Sequence, residues 1–166
     1  MLIFKKQITR QQVKSKYRKN LSCNFSKESK NYLVDTSAVI NKFLQALVKK
    51  GITGKLIIPN AVMAELENLA NKGVEEGFIG LEEIAKLHHQ NQLKIHFHGA
   101  RPGEMHIKFA KSGEIDALIR DLARKYKAVL ITADLVQAKS SQAYGLKVLF
   151  LKPKIKKQKK GFWLFR

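Results

Sequence analysis

The sequence is poor in cysteine, in long apolar runs and in acidic residues. Cys23 is the single cysteine, which excludes an intrachain disulfide and a zinc site built on cysteines. No apolar run is long enough to cross a membrane, and residues 1–30 lack the continuous apolar segment of a secretory signal. We therefore expect a cytoplasmic protein whose partners do not include a membrane.

Acidic residues are scarce relative to basic ones, with 13 Asp and Glu against 32 Lys and Arg, a net charge of +19. Residues 1–30 hold nine basic residues and one acidic residue, and residues 152–166 hold seven basic residues and no acidic one. Cationic ends of this kind bind polyanions through phosphate contacts, so a nucleic acid is the expected partner. The alternatives are solubilising tails or, because Phe162–Phe165 is apolar, contact with an anionic membrane surface.

Short apolar runs alternate with helical patterns through the middle of the chain. This alternation predicts an α/β fold, a three-layer α/β/α sandwich around a central, mainly parallel sheet. The predicted domain spans residues 31–151, between a basic N-terminal arm (1–30) and a basic, aromatic C-terminal tail (152–166). Strands are predicted over 31–35, Lys55–Ile58, Leu93–Phe97, Ala128–Ile131 and Leu146–Leu151. Helices are predicted over 36–50, 60–72, 75–91, 113–126 and 134–143, and a loop over 98–112.

Three residues mark predicted helix ends. Gly51 and Gly73 each follow a helical pattern, at the position where glycine most often ends a helix with a left-handed backbone. Asn60 follows Pro59 and precedes an apolar helical pattern, so it is the candidate N-cap of the next helix.

Acidic side chains follow two of the predicted strands. Asp35 ends Tyr32-Leu33-Val34, and Asp134 closely follows the apolar strand that ends at Ile131. Because the carboxyl ends of parallel strands lie at one edge of a sheet, where ligands bind in open α/β folds, both acids are expected there.

Two further acids lie beside the buried faces of predicted helices. At 100° per residue, Glu65 is about 60° from Val62 around its helix, and Asp116 is about 20° from Ala123. The first turns of both helices are expected near the same sheet edge, so four carboxylates meet there.

Four carboxylates at one edge raise each other's pKa unless a cation lies among them. Mg²⁺ or Mn²⁺ suits such a site, because both prefer oxygen ligands, and a cation held this way activates water and stabilises a phosphodiester under attack. The alternative is structural: Glu65 and Asp116 favour helix dipoles, and Asp35 and Asp134 cap helices.

The five histidines are a second candidate for metal binding. They fall on different predicted elements, and none shows the i, i+4 spacing of a zinc-binding helix. We interpret them as scattered surface or edge residues: His88, His89, His96, His98 and His106.

Four sequence blocks carry a resemblance to a known family. They are Tyr32–Ser37, Pro59–Glu67, Gly113–Ile119 and Leu130–Asp134, in that order. Over residues 31–151 the chain resembles a PIN domain, and it is most similar to PIN domains of archaeal type, including those at the front of larger ATPase and KH-domain proteins. No Walker A loop occurs in the sequence, so the chain by itself is not expected to be an ATPase.

The resemblance implies a metal-dependent ribonuclease on an α/β/α sandwich, usually dimeric, with Mg²⁺ or Mn²⁺ as cofactor. The implied catalytic and metal-binding residues are Asp35, Glu65, Asp116 and Asp134. Three further residues are assigned supporting roles: Thr132 as a nearby hydroxyl, Ser37 as a partner of Asp35 or of a bound water, and Glu114 as a residue that shares or replaces the role of Asp116.

Two functions follow from these observations. The first is an endoribonuclease that cuts single-stranded or loop RNA through the four carboxylates. The second is a catalytically weak PIN-like module that binds RNA or the ribosome. An antitoxin, a ribosomal protein or a second copy of the chain is a possible protein partner.

Overall fold

The computed structural model describes residues 30–90, 93–109 and 113–153. The predicted basic arm up to residue 29, including Cys23, and the predicted tail from residue 154 lie outside the described residues.

Five strands form the central sheet: β1 (Lys30–Val34), β2 (Gly54–Pro59), β3 (Leu93–His98), β4 (Val129–Thr132) and β5 (Val148–Phe150). They are all parallel and lie in the order β3-β2-β1-β4-β5. Helices flank this sheet, so the predicted α/β/α sandwich is confirmed. The apolar core centres on β1, β2 and β4, whose continuous apolar runs are typical of strands covered on both faces.

Seven helices occur among the described residues. They are α1 (Thr36–Ile40), α2 (Phe43–Lys49), α3 (Asn60–Asn71), α4 (Glu75–His88), α5 (Glu104–Phe109), α6 (Glu114–Lys125) and α7 (Leu135–Ala143). The first four pack on one another, with α4 contacting α1, α2 and α3. Helix α6 lies against β4, and α7 lies against β4 and β5. In the described part of the chain, no helix has both the length and the apolar character needed to cross a membrane.

The helix predicted over 36–50 is broken into α1 and α2. Lys42 between them has a left-handed backbone, with φ of 57°. The break is stabilised from outside: Glu83 on α4 is buried and accepts a 2.9 Å hydrogen bond from the backbone N–H of Gln45, in the first turn of α2. A carboxylate at this place satisfies a free N–H and favours the positive end of the helix dipole.

Two other predictions near helix ends are wrong. The loop predicted over 98–112 contains helix α5. Asn60 is the first residue of α3 and its side chain does not cap the helix; it donates a 2.7 Å hydrogen bond to the carbonyl of Gly99 instead. Pro59, which lies just after the predicted strand, is the last residue of β2.

Most other boundaries shift by one or two residues, with β5 shorter than predicted. The left-handed backbones of Gly51 and Gly73, with φ of 81° and 72°, confirm the helix ends predicted there.

Helices α3 and α4 approach each other closely through glycine. A Cβ on Gly77 would overlap the backbone of Ala70 and lie 2.7 Å from the carbonyl oxygen of Leu66. This packing fixes α3, the helix that carries Glu65, against the rest of the fold.

Candidate active site

The predicted acids lie at the carboxyl edge of the sheet, near the point where the order of the strands reverses at β1. From β1 the chain adds β2 and β3 on one side, and β4 and β5 on the other. The β1–β4 register pairs Val34 with Ile131, so the next residues lie side by side, Asp35 just after β1 and Thr132 at the end of β4. Such a switch point is where open α/β sheets bind ligands.

Asp35 is the buried centre of the site, with 5% of its surface exposed. Its Oδ2 accepts hydrogen bonds from the hydroxyls of Ser37 at 2.5 Å and Thr132 at 2.7 Å. Burial raises the pKa of Asp35, these hydrogen bonds oppose the rise, and the charge of Asp116 adds to it. The side chain does not cap α1, so the structural alternative for this acid is wrong.

Ser37 joins the β1 end to the β4 end. Besides donating to Asp35, its Oγ accepts hydrogen bonds from the backbone N–H groups of Ala133 at 2.9 Å and Asp134 at 3.2 Å. The serine therefore holds the loop after β4 against Asp35, the first of the two roles that the sequence suggested for it.

Glu65 reaches the site from α3. Its Oε2 accepts a hydrogen bond from the hydroxyl of Thr36, the residue after Asp35. Burial raises the pKa of Glu65, and the charges of Asp35 and Asp116 raise it further, while Thr36 opposes the rise.

Asp116 lies in the first turn of α6 and completes the group electrostatically. Partial burial and the charge of Asp134 raise the pKa of Asp116, and Arg120 opposes the rise. Because the charge of Asp116 also acts on Asp35 and Glu65, these three acids influence one another, and Asp134 acts on the group through Asp116.

Asp134 is exposed and is the N-cap of α7. Its Oδ1 accepts hydrogen bonds from the N–H groups of Val136 at 2.6 Å and Gln137 at 3.1 Å. Asp134 therefore caps a helix, as the structural alternative predicted. Its Oδ2 accepts neither of these capping hydrogen bonds and is the oxygen available to a ligand.

Two acids near the site in sequence point elsewhere. Glu114 lies 3.8 Å from His106 Nε2, both side chains being about half-exposed. Glu67 pairs with Arg101 on the far side of α3, as expected for a surface acid. The structure thus gives Glu114 no visible share in the cluster around Asp116.

Sequence reasoning missed Gln137. Its side chain is 1% exposed and lies 3.1 Å from Thr132 Oγ1 and 2.6 Å from Asp35 Oδ2. The signal was a polar residue at a buried helical position, three residues after a strand-end acid.

The donors suit a hard cation in their chemistry. All four are carboxylates, and burial and mutual repulsion raise the pKa of Asp35, Glu65 and Asp116, a cost that a positive charge among them offsets. Among the described residues, no three His, Cys, Asp or Glu side chains are close enough to hold one ion directly. The carboxylate chemistry suits a hard cation, and an ion that keeps part of its water shell needs fewer direct protein ligands.

The fold and the site define an α/β domain with a group of carboxylates at the carboxyl edge of a parallel sheet. Residues 32–141 match the family model described as PIN domain, and the chain belongs to that family. PIN domains are generally metal-dependent nucleases that use divalent ions.

This chain is similar in sequence to parts of two larger proteins. An uncharacterised KH and PIN-domain containing protein of Methanocaldococcus jannaschii is 39% identical over 127 residues, which are 74% of this chain and 20% of that protein. The Holliday junction branch migration ATPase PINA of Sulfolobus acidocaldarius is 24% identical over 126 residues, 75% of this chain and 24% of that protein. The chain thus spans a quarter or less of the length of these two relatives.

A solved structure shares the fold. It is a domain of a functionally unknown protein from Methanocaldococcus jannaschii, with a TM-score of 0.72 and 38% sequence identity. The match covers 77% of this chain and 95% of that one.

Proposed function

We propose that the chain is an endoribonuclease that hydrolyses RNA phosphodiester bonds with Mg²⁺ or Mn²⁺ held by Asp35, Glu65, Asp116 and Asp134. The observation that carries the proposal is the convergence of these carboxylates from β1, α3, α6 and the end of β4 on one sheet edge. Carboxylates grouped in this way destabilise the metal-free chain through their mutual repulsion, and a bound cation offsets that repulsion.

Each acid has a distinct part in this proposal. Asp35 is buried and held by two hydroxyls, so it supplies a fixed anchor. Glu65 is oriented by Thr36 and Asp134 by its capping hydrogen bonds, whereas Asp116 is placed by α6 alone. When bound, the cation supplies positive charge for the phosphate and activates a water. No protein nucleophile is needed.

The charge distribution supports RNA as the substrate. Half of the 32 basic residues lie in segments 1–30 and 152–166, and the stretch between them has a net charge of only +4. In this proposal the basic ends bind the RNA, and its phosphodiester bonds are hydrolysed at the four carboxylates. Removal of residues 152–166 eliminates seven positive charges, which lowers the slope of log K against log salt by at most about 5 for single-stranded RNA.

The test is cleavage of an end-labelled single-stranded RNA in Mg²⁺, in Mn²⁺ and in EDTA. The native chain is expected to cut in either metal and not in EDTA, and Asp35→Asn to bind the RNA without cutting it. Glu67→Gln is the matched control, because Glu67 lies two residues from Glu65 but pairs with Arg101, away from the other three acids. Equal cutting by Asp35→Asn would overturn the proposal.

Two observations favour the second function, a weakly catalytic module that binds RNA or the ribosome. Among the described residues no three acids are placed to hold an ion directly, and Asp134 already caps a helix. This reading predicts RNA affinity that is unchanged in EDTA, together with no cutting in any metal.

A further inference from the structure

The Gln137 side chain lies beneath the candidate site, in the first turn of α7. It is 1% exposed, and a buried amide at such a position requires hydrogen-bond partners. Those partners are Asp35 and Thr132, at the ends of the two strands that flank the switch point.

The partners determine which way the amide faces. One terminal atom lies 2.6 Å from Asp35 Oδ2, 3.2 Å from Asp35 Oδ1 and 3.1 Å from Thr132 Oγ1. An amide oxygen there would meet two carboxylate oxygens, whereas an amide nitrogen has two hydrogens to donate. The nitrogen is therefore assigned to this side, with the carboxylate and the threonine oxygen as acceptors.

Three donors consequently converge on one oxygen of Asp35. Ser37, Thr132 and Gln137 all donate to Oδ2, at 2.5, 2.7 and 2.6 Å. The contact from Gln137 to Oδ1 is longer, at 3.2 Å. The network thus fixes the carboxylate by one oxygen and leaves the other as the better ligand for a cation.

We propose that Gln137 is the positioning residue of the metal site, holding Asp35 so that Oδ1 faces the cation. This inference rests on the proposed function, because it concerns the same cation. The serine and threonine hydroxyls can rotate to other acceptors, whereas the buried amide nitrogen of Gln137 faces only Asp35 and Thr132 among the contacts described for it. Partners of this kind orient metal ligands, and their loss lowers metal affinity about 10- to 100-fold.

The first test is Mn²⁺ affinity without RNA, measured by electron paramagnetic resonance. Gln137→Met keeps the length and apolar bulk of the side chain but removes the donor, and the affinity is expected to fall at least about tenfold. Gln142→Met is the control, since Gln142 is exposed on the same helix. Thermal unfolding in EDTA establishes that each variant is folded.

A double-mutant cycle separates positioning from general support of the fold. If Gln137 acts through Asp35, then Asp35→Asn combined with Gln137→Met binds Mn²⁺ no more weakly than Asp35→Asn alone. Additive losses in the double variant would overturn the inference. So would native affinity in Gln137→Met, while the proposed function would stand. Absence of Mn²⁺ binding by the native chain would overturn both.

A measurement on the native chain covers the case in which Gln137→Met does not fold. The side-chain amide resonances of Gln137 are expected to shift when Mg²⁺ is added, because their acceptor carries the ion, while those of Gln142 stay in place. Unmoved Gln137 resonances in a chain that binds Mg²⁺ would overturn the inference.

Discussion

The hydroxyl of Thr132 donates a 2.7 Å hydrogen bond to Oδ2 of Asp35, joining the end of β4 to the end of β1. The two residues are 97 positions apart in the chain and are brought together by the register of the parallel strands. This hydrogen bond lies at the switch point of the sheet and holds Asp35, the buried acid among the four.

Thr36→Val tests how Glu65 is held. The variant keeps the shape of the side chain but removes the hydroxyl that donates to Glu65. Without this donor the pKa of Glu65 rises further, so we expect the affinity for Mn²⁺ to fall about tenfold, with the larger loss at lower pH. Thr36→Ser, which keeps the hydroxyl, is expected to retain native affinity. Equal Mn²⁺ titrations for Thr36→Val and the native chain would contradict this role.

The metal-free chain is expected to lose stability as pH rises. Burial raises the pKa of Asp35, Glu65 and Asp116 in the folded state, and neighbouring acids add to the rise. Between the ordinary values, near 4, and these higher ones, the folded chain binds more protons than the unfolded chain, so the free energy of unfolding falls with rising pH. Urea unfolding in EDTA from about pH 4 to 8 measures this slope.

Two comparisons sharpen the pH experiment. Saturating Mg²⁺ should restore stability most at high pH, because the cation binds the ionised acids of the folded chain. Asp116→Asn should flatten the slope in EDTA and reduce the gain from Mg²⁺. The assignment would be refuted if, in EDTA, the native chain became more stable as pH rises and Asp116→Asn were less stable than the native chain.

Gly77→Ala tests the close packing of α3 on α4. A glycine-to-alanine change in a helix usually stabilises it by up to about 1 kcal/mol. Here the new Cβ would overlap the Ala70 backbone and lie 2.7 Å from Leu66 O, so a loss of about 1–3 kcal/mol is expected in urea unfolding. Gly103→Ala is the control, since its Cβ meets nothing within 4 Å. A stabilised Gly77→Ala would show that the helices can separate freely.

Glu83→Ala tests the buried cap between α1 and α2. The change leaves the N–H of Gln45 without its acceptor, which is expected to cost about 1–3 kcal/mol of unfolding free energy. Glu83→Gln retains an acceptor and should lose less. The matched control is Glu82→Ala, because Glu82 is exposed and pairs only with Lys86 among the contacts described for it; little change is expected there. Comparable losses at both positions would argue against the cap.

The sequence carried the alternation that predicts the fold and the placement of Asp35 and Asp134 after strands, because both follow from local periodicity. Other features depended on tertiary contacts. The break at Lys42 has no glycine or proline to announce it and is held by Glu83 from a distant helix. Gln137 joins Asp35 only through the adjacency of β1 and β4, which periodicity does not specify.

The central claim is that the four acids hold a divalent cation, directly or through water, and a Mn²⁺ binding isotherm without RNA tests it most directly. Isotherms are compared for the native chain and for four single variants, with Glu67→Gln and Glu114→Gln as controls whose side chains face Arg101 and His106. The four variants are Asp35→Asn, Glu65→Gln, Asp116→Asn and Asp134→Asn.

The account predicts that the native chain and both controls bind Mn²⁺ alike, while each of the four variants binds it more weakly, Asp35→Asn most of all. A native chain without affinity for Mn²⁺, or controls weakened as much as the four, would contradict it.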